Sequence, residues 1–174
     1  YLARDADAFL ELPEMAYVSP GQRAAWRNQN TGGANLTAEE ARLFTDARDR
    51  MLRILVEEGA PLLMGTDSPQ LFNVPGFALH RELAEIEEAG VDRYTILQSG
   101  TRNVGRYVED VLGLDGNFGT IAAGRRADLV LLEANPLEDL AHLTRRAGVM
   151  VRGRWVDAAE IERGLSEIAA RHAG

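Results

Sequence analysis

The chain has no cysteine and no lysine among its 174 residues, and only three histidines, His80, His142 and His172. Without cysteine there are no disulfides and no thiolate-bound zinc, although this does not identify a compartment. All nineteen basic residues are arginine, against twenty-seven acidic ones. The net charge of -8 and pI near 4.9 argue against a nucleic-acid partner, because phosphate binding needs a basic surface. No apolar run approaches the ~20 residues of a membrane span. With so few histidines and no lysine, the chain cannot assemble a full metal centre by itself. It begins at Tyr1 with no charged-then-apolar leader. Either a leader has been removed or the natural start lies elsewhere, so localisation is unknown.

What is present is ordinary for a globular protein: 45% hydrophobic and 26% charged residues. The length allows one domain or parts of two, and is too short for a closed eight-stranded α/β barrel, which needs roughly 250 residues. Residues 1–36 are the least regular, interrupted by Pro13, Pro20, Gly21, Gly32 and Gly33. Met15–Val18 reads as a short strand, and Trp26 sits among polar neighbours. The stretch is either a lid-like insertion or a loose surface segment.

Thr37–Glu58 is the clearest helix. Thr37 and Glu40 form a capping box, Gly59 supplies the stop, and Phe44, Ala47, Met51, Ile54 and Leu55 share a face. Pro61–Gly65 follows as a buried strand, giving the αβ half of an α/β unit. Three more helices are expected: Pro75–Gly76 to Ala89, Asp92 to Ser99, and Thr101 to Leu112, the last two capped by Asp92 and Thr101. The character changes near Gly113. Asp128–Leu132 reads as a strand. Gly148–Val151 and Arg154–Val156 form a hairpin about Arg152-Gly153, and Ala158–His172 a closing helix. The expected organisation is 1–113 (1–36 lid-like, 37–67 helix and strand, 76–112 helices) followed by 114–174.

The chemistry centres on Asp67. The run Pro61-Leu62-Leu63-Met64-Gly65-Thr66-Asp67-Ser68 ends an apolar strand on a carboxylate, and carboxylates at the C-terminal ends of barrel strands are typically catalytic or metal-binding. Taken alone, Asp67-Ser68-Pro69 also reads as a turn or helix cap. His80 lies near the start of the next helix, where a lone histidine is more often a packing residue than a ligand. Glu82, Glu85, Glu87 and Glu88 read as a solvated face. The glycines of 113–124 form no phosphate loop, and Ser68 lacks the glycines of a nucleophile elbow.

These residues resemble a family. Gly65-Thr66-Asp67-Ser68, Pro75-Gly76, Leu79-His80-Arg81-Glu82-Leu83 and Glu88-Ala89-Gly90-Val91 are similar to the C-terminal part of metal-dependent amidohydrolases. The branch most resembled is the imidazolonepropionase-like and Xaa-Pro dipeptidase-like one. Gly119–Leu132 is similar to that family's G-x-I-x-x-G-x-x-A-D-L-V pattern, continued by Asn135–Asp139 and Val149–Val156. The resemblance covers residues 38–157 well and 1–36 weakly. Thr101-Arg102-Asn103-Val104-Gly105 departs mildly from the usual T-x-N-x-A, and the family's His-x-His, its strand-four lysine or glutamate and its later metal histidines are absent.

The resemblance implies an α/β fold: the C-terminal portion of a (β/α)8 barrel, with Asp67 on the eighth strand, plus part of a small β-sandwich. It implies hydrolysis of a C–N bond in an amide, cyclic amide or dipeptide, with Asp67 as metal ligand and proton shuttle. Ser68, Gln70 and His80 are candidate substrate contacts. The implied cofactor is one or two divalent ions, with zinc the leading expectation, and this chain alone binds none. The expected partners are a small-molecule substrate, the N-terminal remainder of the same protein and further copies of the chain, with no nucleic acid or membrane. The rival expectation is a non-catalytic, self-associating module.

Overall fold

A computed structural model describes residues 6–30 and 36–173. Gly32 and Gly33, read as interruptions of the first segment, lie outside the described residues. The described part of that segment is helical rather than loose. It comprises α1 (Ala6–Leu10), a 3-10 turn (Pro13–Tyr17) and α2 (Pro20–Asn30). The strand expected at Met15–Val18 is therefore mostly this turn, with the Val18 N–H donating to the Met15 carbonyl at 3.1 Å. Trp26 is buried with Phe9, Met15, Val18, Phe72 and Val74 in one core cluster. The polar residues beside Trp26 in sequence fall on other faces of α2, and this is why a linear reading misplaces it.

Helix α3 (Ala38–Glu57) starts at the expected capping box: the Glu40 N–H donates to Thr37 Oγ1 at 3.2 Å, and the Thr37 N–H to Glu40 Oε2 at 2.8 Å. Its expected inner face is not the one that packs. Ala41 is buried, and Leu52 and Val56 meet the second core cluster. Phe44, Met51, Ile54 and Leu55, roughly a third of a turn around the helix, stay exposed, Phe44 at 63%. Two apolar stripes share this helix, and the described residues cover only one.

Helices α4 (Phe77–Glu88) and α5 (Arg93–Ser99) form as expected, the second capped by Asp92, whose Oδ1 accepts from the Thr95 N–H at 3.0 Å. The next helix, α6 (Arg102–Arg106), runs into a π turn at Tyr107–Val111. Thr101 does not cap it, because its hydroxyl donates back to the Leu97 carbonyl at 2.7 Å. The core uniting these helices is Leu83, Val91 and Ile96, with Leu140 from the 3-10 turn Leu140–Thr144 joining them across Gly113.

The single sheet described is antiparallel, in the order β1 (Leu129–Leu132), β2 (Arg146–Val151), β3 (Arg154–Asp157). The expected hairpin is present. Arg152 and Gly153 turn it with φ of 50° and 82°, the doubly left-handed geometry that a two-residue hairpin needs. Asp128 holds the turn: its Oδ1 accepts from the Arg152 N–H at 2.7 Å, and its other oxygen pairs with Arg126. Helix α7 (Ala158–His172) packs on β2, β3 and the first 3-10 turn. Pro61–Gly65, expected as a buried strand, is extended with alternating exposure, but Leu63 is 46% exposed. Among the described residues it joins no ladder: Met64 donates to the Ser99 carbonyl at 3.0 Å, and the Leu62 carbonyl accepts from Asn103 at 3.0 Å. A parallel barrel strand is bonded along both edges, and no described strand lies beside this one. No described helix is long and apolar enough to cross a membrane.

Gly105 departs from the family pattern for a visible reason. A Cβ there would run into the Phe118 carbonyl oxygen, where the loop 116–119 lies directly on α6. Gly105→Ala is expected to lower stability by about 1–3 kcal/mol in denaturant titration, the cost of overpacking a rigid backbone contact. The Arg152 N–H, seconded by Arg126, holds the Asp128 carboxyl below its ordinary value. A lowered carboxylate pKa means stability present above about pH 4 and lost as pH falls through the folded-state value. Amides of the β2–β3 hairpin should therefore lose exchange protection as pH drops below about 4. The same decline in Asp128→Asn would remove Asp128 as its cause.

Candidate active site

The extended segment ends at Asp67, and the backbone turns sharply there. Asp67 has φ of 54° and Phe72, five residues on, has φ of 58°. Left-handed conformations are uncommon outside glycine. Asp tolerates them better than most residues, whereas a bulky residue such as Phe rarely adopts them. Such conformations persist where surrounding contacts impose them, and they concentrate at functional sites.

Local hydrogen bonds shape the loop between those two residues. The Ser68 N–H donates to Thr66 Oγ1 at 3.3 Å, and the Thr66 hydroxyl donates to Ser68 Oγ at 3.0 Å. The Ser68–Pro69 peptide is cis. Gln70 and Asn73 form a short antiparallel bridge, with the Asn73 N–H donating to the Gln70 carbonyl at 2.9 Å. Asn73 Nδ2 reaches back to the Thr66 carbonyl at 3.1 Å. The Gln70 side-chain amide donates to Asp67 Oδ2. One carboxylate oxygen is thus engaged by Gln70, and Asp67 as a whole is exposed.

Three of the four sequence-selected residues, Asp67, Ser68 and Gln70, meet in this loop. His80 does not join them: no hydrogen bond connects it to Asp67, Ser68 or Gln70 among the described residues. Burial and the nearby Arg146 guanidinium hold His80 below its ordinary value, so its neutral form is favoured. Within the acidic run of α4, Glu85 pairs with Arg48 at 3.2 Å and Glu87 with Arg93. Glu82 is half-buried, and desolvation pushes it up, with Arg48 opposing and Glu85 adding to the rise.

Sequence reasoning missed Asn73, Arg81 and Glu14. Asn73 was legible only as a turn residue, and Arg81 only as the neighbour of His80. Glu14 lay in a segment without evident order. No group of three or more His, Asp or Glu residues that could hold a metal ion occurs among the described residues. Asp67 offers one ligand, which is not a complete site.

The profile of the amidohydrolase family matches residues 17–156. Among solved structures, a bottromycin amidohydrolase is similar at 29% identity and a TM-score of 0.73, over 97% of this chain and 38% of that one. A Xaa-Pro dipeptidase with methionine bound in its active site matches at 20% identity and a TM-score of 0.51, over 90% of this chain and 34% of that one. A crystal structure of an amidohydrolase matches at 22% identity and 0.51, over 63% and 25%. The last two speak for the fold alone. The chain spans well under half the length of each. No curated protein sequence is a significant match.

The left-handed backbone at Asp67 makes its substitutions separable. Asp67→Asn keeps both the tolerance for positive φ and an oxygen for Gln70, and should change stability by less than about 0.5 kcal/mol. Asp67→Val, β-branched in that conformation, should cost about 1–3 kcal/mol by thermal or urea unfolding. Equal costs for the two would mean that the strained backbone at this position does not exist in solution.

Proposed function

The chain belongs to the amidohydrolase family, and from that premise we propose that it is the C-terminal part of a metal-dependent hydrolase of C–N bonds, with Asp67 as metal ligand and proton carrier. The observation that carries this reading is the Asp67 carboxylate itself. It stands at the end of an extended apolar segment, in a left-handed conformation, with Gln70 fixed on one oxygen. A turn can also place an aspartate in this conformation, so it is the family match that points the arrangement toward chemistry. The bond class hydrolysed, in amides, cyclic amides or dipeptides, follows from the family.

Among the described residues no group of three or more His, Asp or Glu could complete a site around Asp67, so in this reading the remaining ligands come from other polypeptide. One or two divalent ions, with zinc the first to test, would supply the Lewis acidity that lowers a water's pKa and polarises a carbonyl. The part assigned to this chain is proton transfer. The Asp67 carboxylate accepts a proton at its free oxygen and returns it to the leaving nitrogen, while Gln70 keeps the other oxygen and the plane of the group fixed. Ser68, next to Asp67 in the loop, is a candidate substrate contact in this reading. His80, half-buried near the start of α4, is a further candidate substrate contact in this reading.

The exposed stripe of Phe44, Met51, Ile54 and Leu55, with Leu63 beside it, supports the view that further polypeptide lies against this face. The same stripe favours a second reading, in which the chain is a self-associating module without activity of its own. Native mass spectrometry with metal analysis separates the two. A companion polypeptide with stoichiometric metal supports the hydrolase, and a metal-free homo-oligomer supports the module. In the assembled enzyme, Asp67→Asn should lower kcat by about 10²–10⁴-fold, the usual worth of a positioned acid–base group, and chelation should abolish turnover. Full activity in Asp67→Asn would end the assignment of Asp67.

A further inference from the structure

The loop that carries Asp67 is anchored by the buried Phe72 ring and, among its polar contacts, by one guanidinium. Arg81 Nη1 donates to Glu14 Oε1 at 2.5 Å, and its Nη2 donates to the Phe72 carbonyl at 2.7 Å and to Asn73 Oδ1 at 3.5 Å. Glu14 is 8% exposed, and it sits on the 3-10 turn of the N-terminal segment, far away in sequence. Asn73 then passes the constraint on, through its amide to the Thr66 carbonyl, whose peptide unit leads into Asp67. Its backbone N–H meets the Gln70 carbonyl, and Gln70 holds the Asp67 carboxylate.

We propose that Arg81 is a positioning residue for Asp67: anchored by Glu14, it fixes the Phe72–Asn73 end of the loop, and Asn73 transmits that to the Thr66–Asp67 backbone and the Gln70–Asp67 contact. The proposal rests on the reading of Asp67 as the reacting carboxylate. It also changes the role of the N-terminal segment, which becomes a fixed clamp beneath the site loop rather than a lid over substrate. The chemistry suits arginine. A planar guanidinium can engage a carboxylate on one side and two backbone or amide oxygens on the other. A lysine ammonium can keep the Glu14 pair and lose that fork.

The arrangement has a consequence for order. Two left-handed residues bound the loop, at 67 and 72, and each is strained outside glycine. Asp67 is held only through the loop, whereas Phe72 is held by its ring and by Arg81. Release of the Phe72 carbonyl therefore frees the loop end that Asn73 depends on.

The test uses the isotope-labelled 174-residue chain and reads the Gln70 side-chain amide and the Asp67 backbone amide by NMR with hydrogen exchange. Arg81→Lys should shift both signals and raise the exchange of the Gln70 side-chain amide at least about tenfold, while the amides of the β2–β3 hairpin stay where they are. Asn73→Ser, which leaves the Arg81–Glu14 pair in place, should do the same. If Arg81→Lys lowers the melting temperature but leaves the Gln70 and Asp67 signals unmoved, Arg81 is merely structural and the proposal is wrong. If Asn73→Ser leaves them unmoved, the proposed route through Asn73 is wrong even where Arg81→Lys has an effect. Should Arg81→Lys unfold the chain, Asn73→Ser decides alone. These signals report the clamp irrespective of catalysis, so an active Asp67→Asn enzyme would refute the assigned function and leave this result standing.

Discussion

The site depends on the burial of Phe72. Its ring stacks on Phe9 with centroids 5.1 Å apart, meets Trp26 edge-on at 5.7 Å and is fully excluded from solvent. Aromatic pairs of this kind contribute roughly 0.5–1.5 kcal/mol each beyond the area they bury. That is of the same order as the cost of a left-handed backbone at a non-glycine residue. The N-terminal helices supply both partners, so the segment with the weakest sequence signal imposes the backbone that the candidate site uses. A second stack, Tyr17 on Phe77 at 5.0 Å, ties the same segment to the start of α4. The loop from Asp67 to Gly76 is thus gripped at Phe72 and just beyond its far end, while Asp67 and Gln70 stay exposed.

How much of this the sequence revealed depends on whether the forces were local. The Thr37 capping box, the Asp92 cap and the Arg152-Gly153 turn were legible because each needs only residues within a few positions. Asp67 stood out as a candidate because an apolar run ending on a carboxylate is a pattern along the chain. The inner face of α3 was not, because its period fits either of two apolar stripes and only tertiary contact chooses between them. The clamp was not legible for the same reason. Glu14 and Arg81 lie far apart in sequence, and no periodicity announces a pair of that separation. Trp26 shows the converse error: polar neighbours along the chain say nothing about the neighbours across the helix.

The motif Ala127-Asp128-Leu129-Val130 acquires a physical meaning as well. Asp128 does no chemistry at the Asp67 loop. It caps the backbone of the hairpin that β1 pairs with, and the Gly153 N–H bonds the Ala127 carbonyl at 3.0 Å. The two residues before β1 therefore fix where β2 and β3 turn, and with it the register in which Val130 faces Val149 and Val149 faces Val156. A short three-stranded sheet with an open β1 edge has little else to set its register.

The open surfaces lie in related places. The outer stripe of α3, the extended segment at 61–66 and the residues of β1 all present apolar side chains to solvent, while the interior around Phe72, Leu83 and Ile96 is closed. That division separates two jobs. The contacts that hold the Asp67 loop are internal to the chain, and the exposed apolar surfaces lie elsewhere. A carboxylate set by its own chain's packing is oriented before any other ligand arrives, and the energy of binding a metal or substrate is then not spent on ordering it. Preorganisation of this kind requires that the clamp lie away from the opening, because a group that both fixed the loop and touched the substrate would shift with each substrate. Arg81 and the Phe72 ring meet that requirement: Arg81, held by Glu14, bonds the Phe72 carbonyl, and the ring anchors its end of the loop in the core with Phe9 and Trp26.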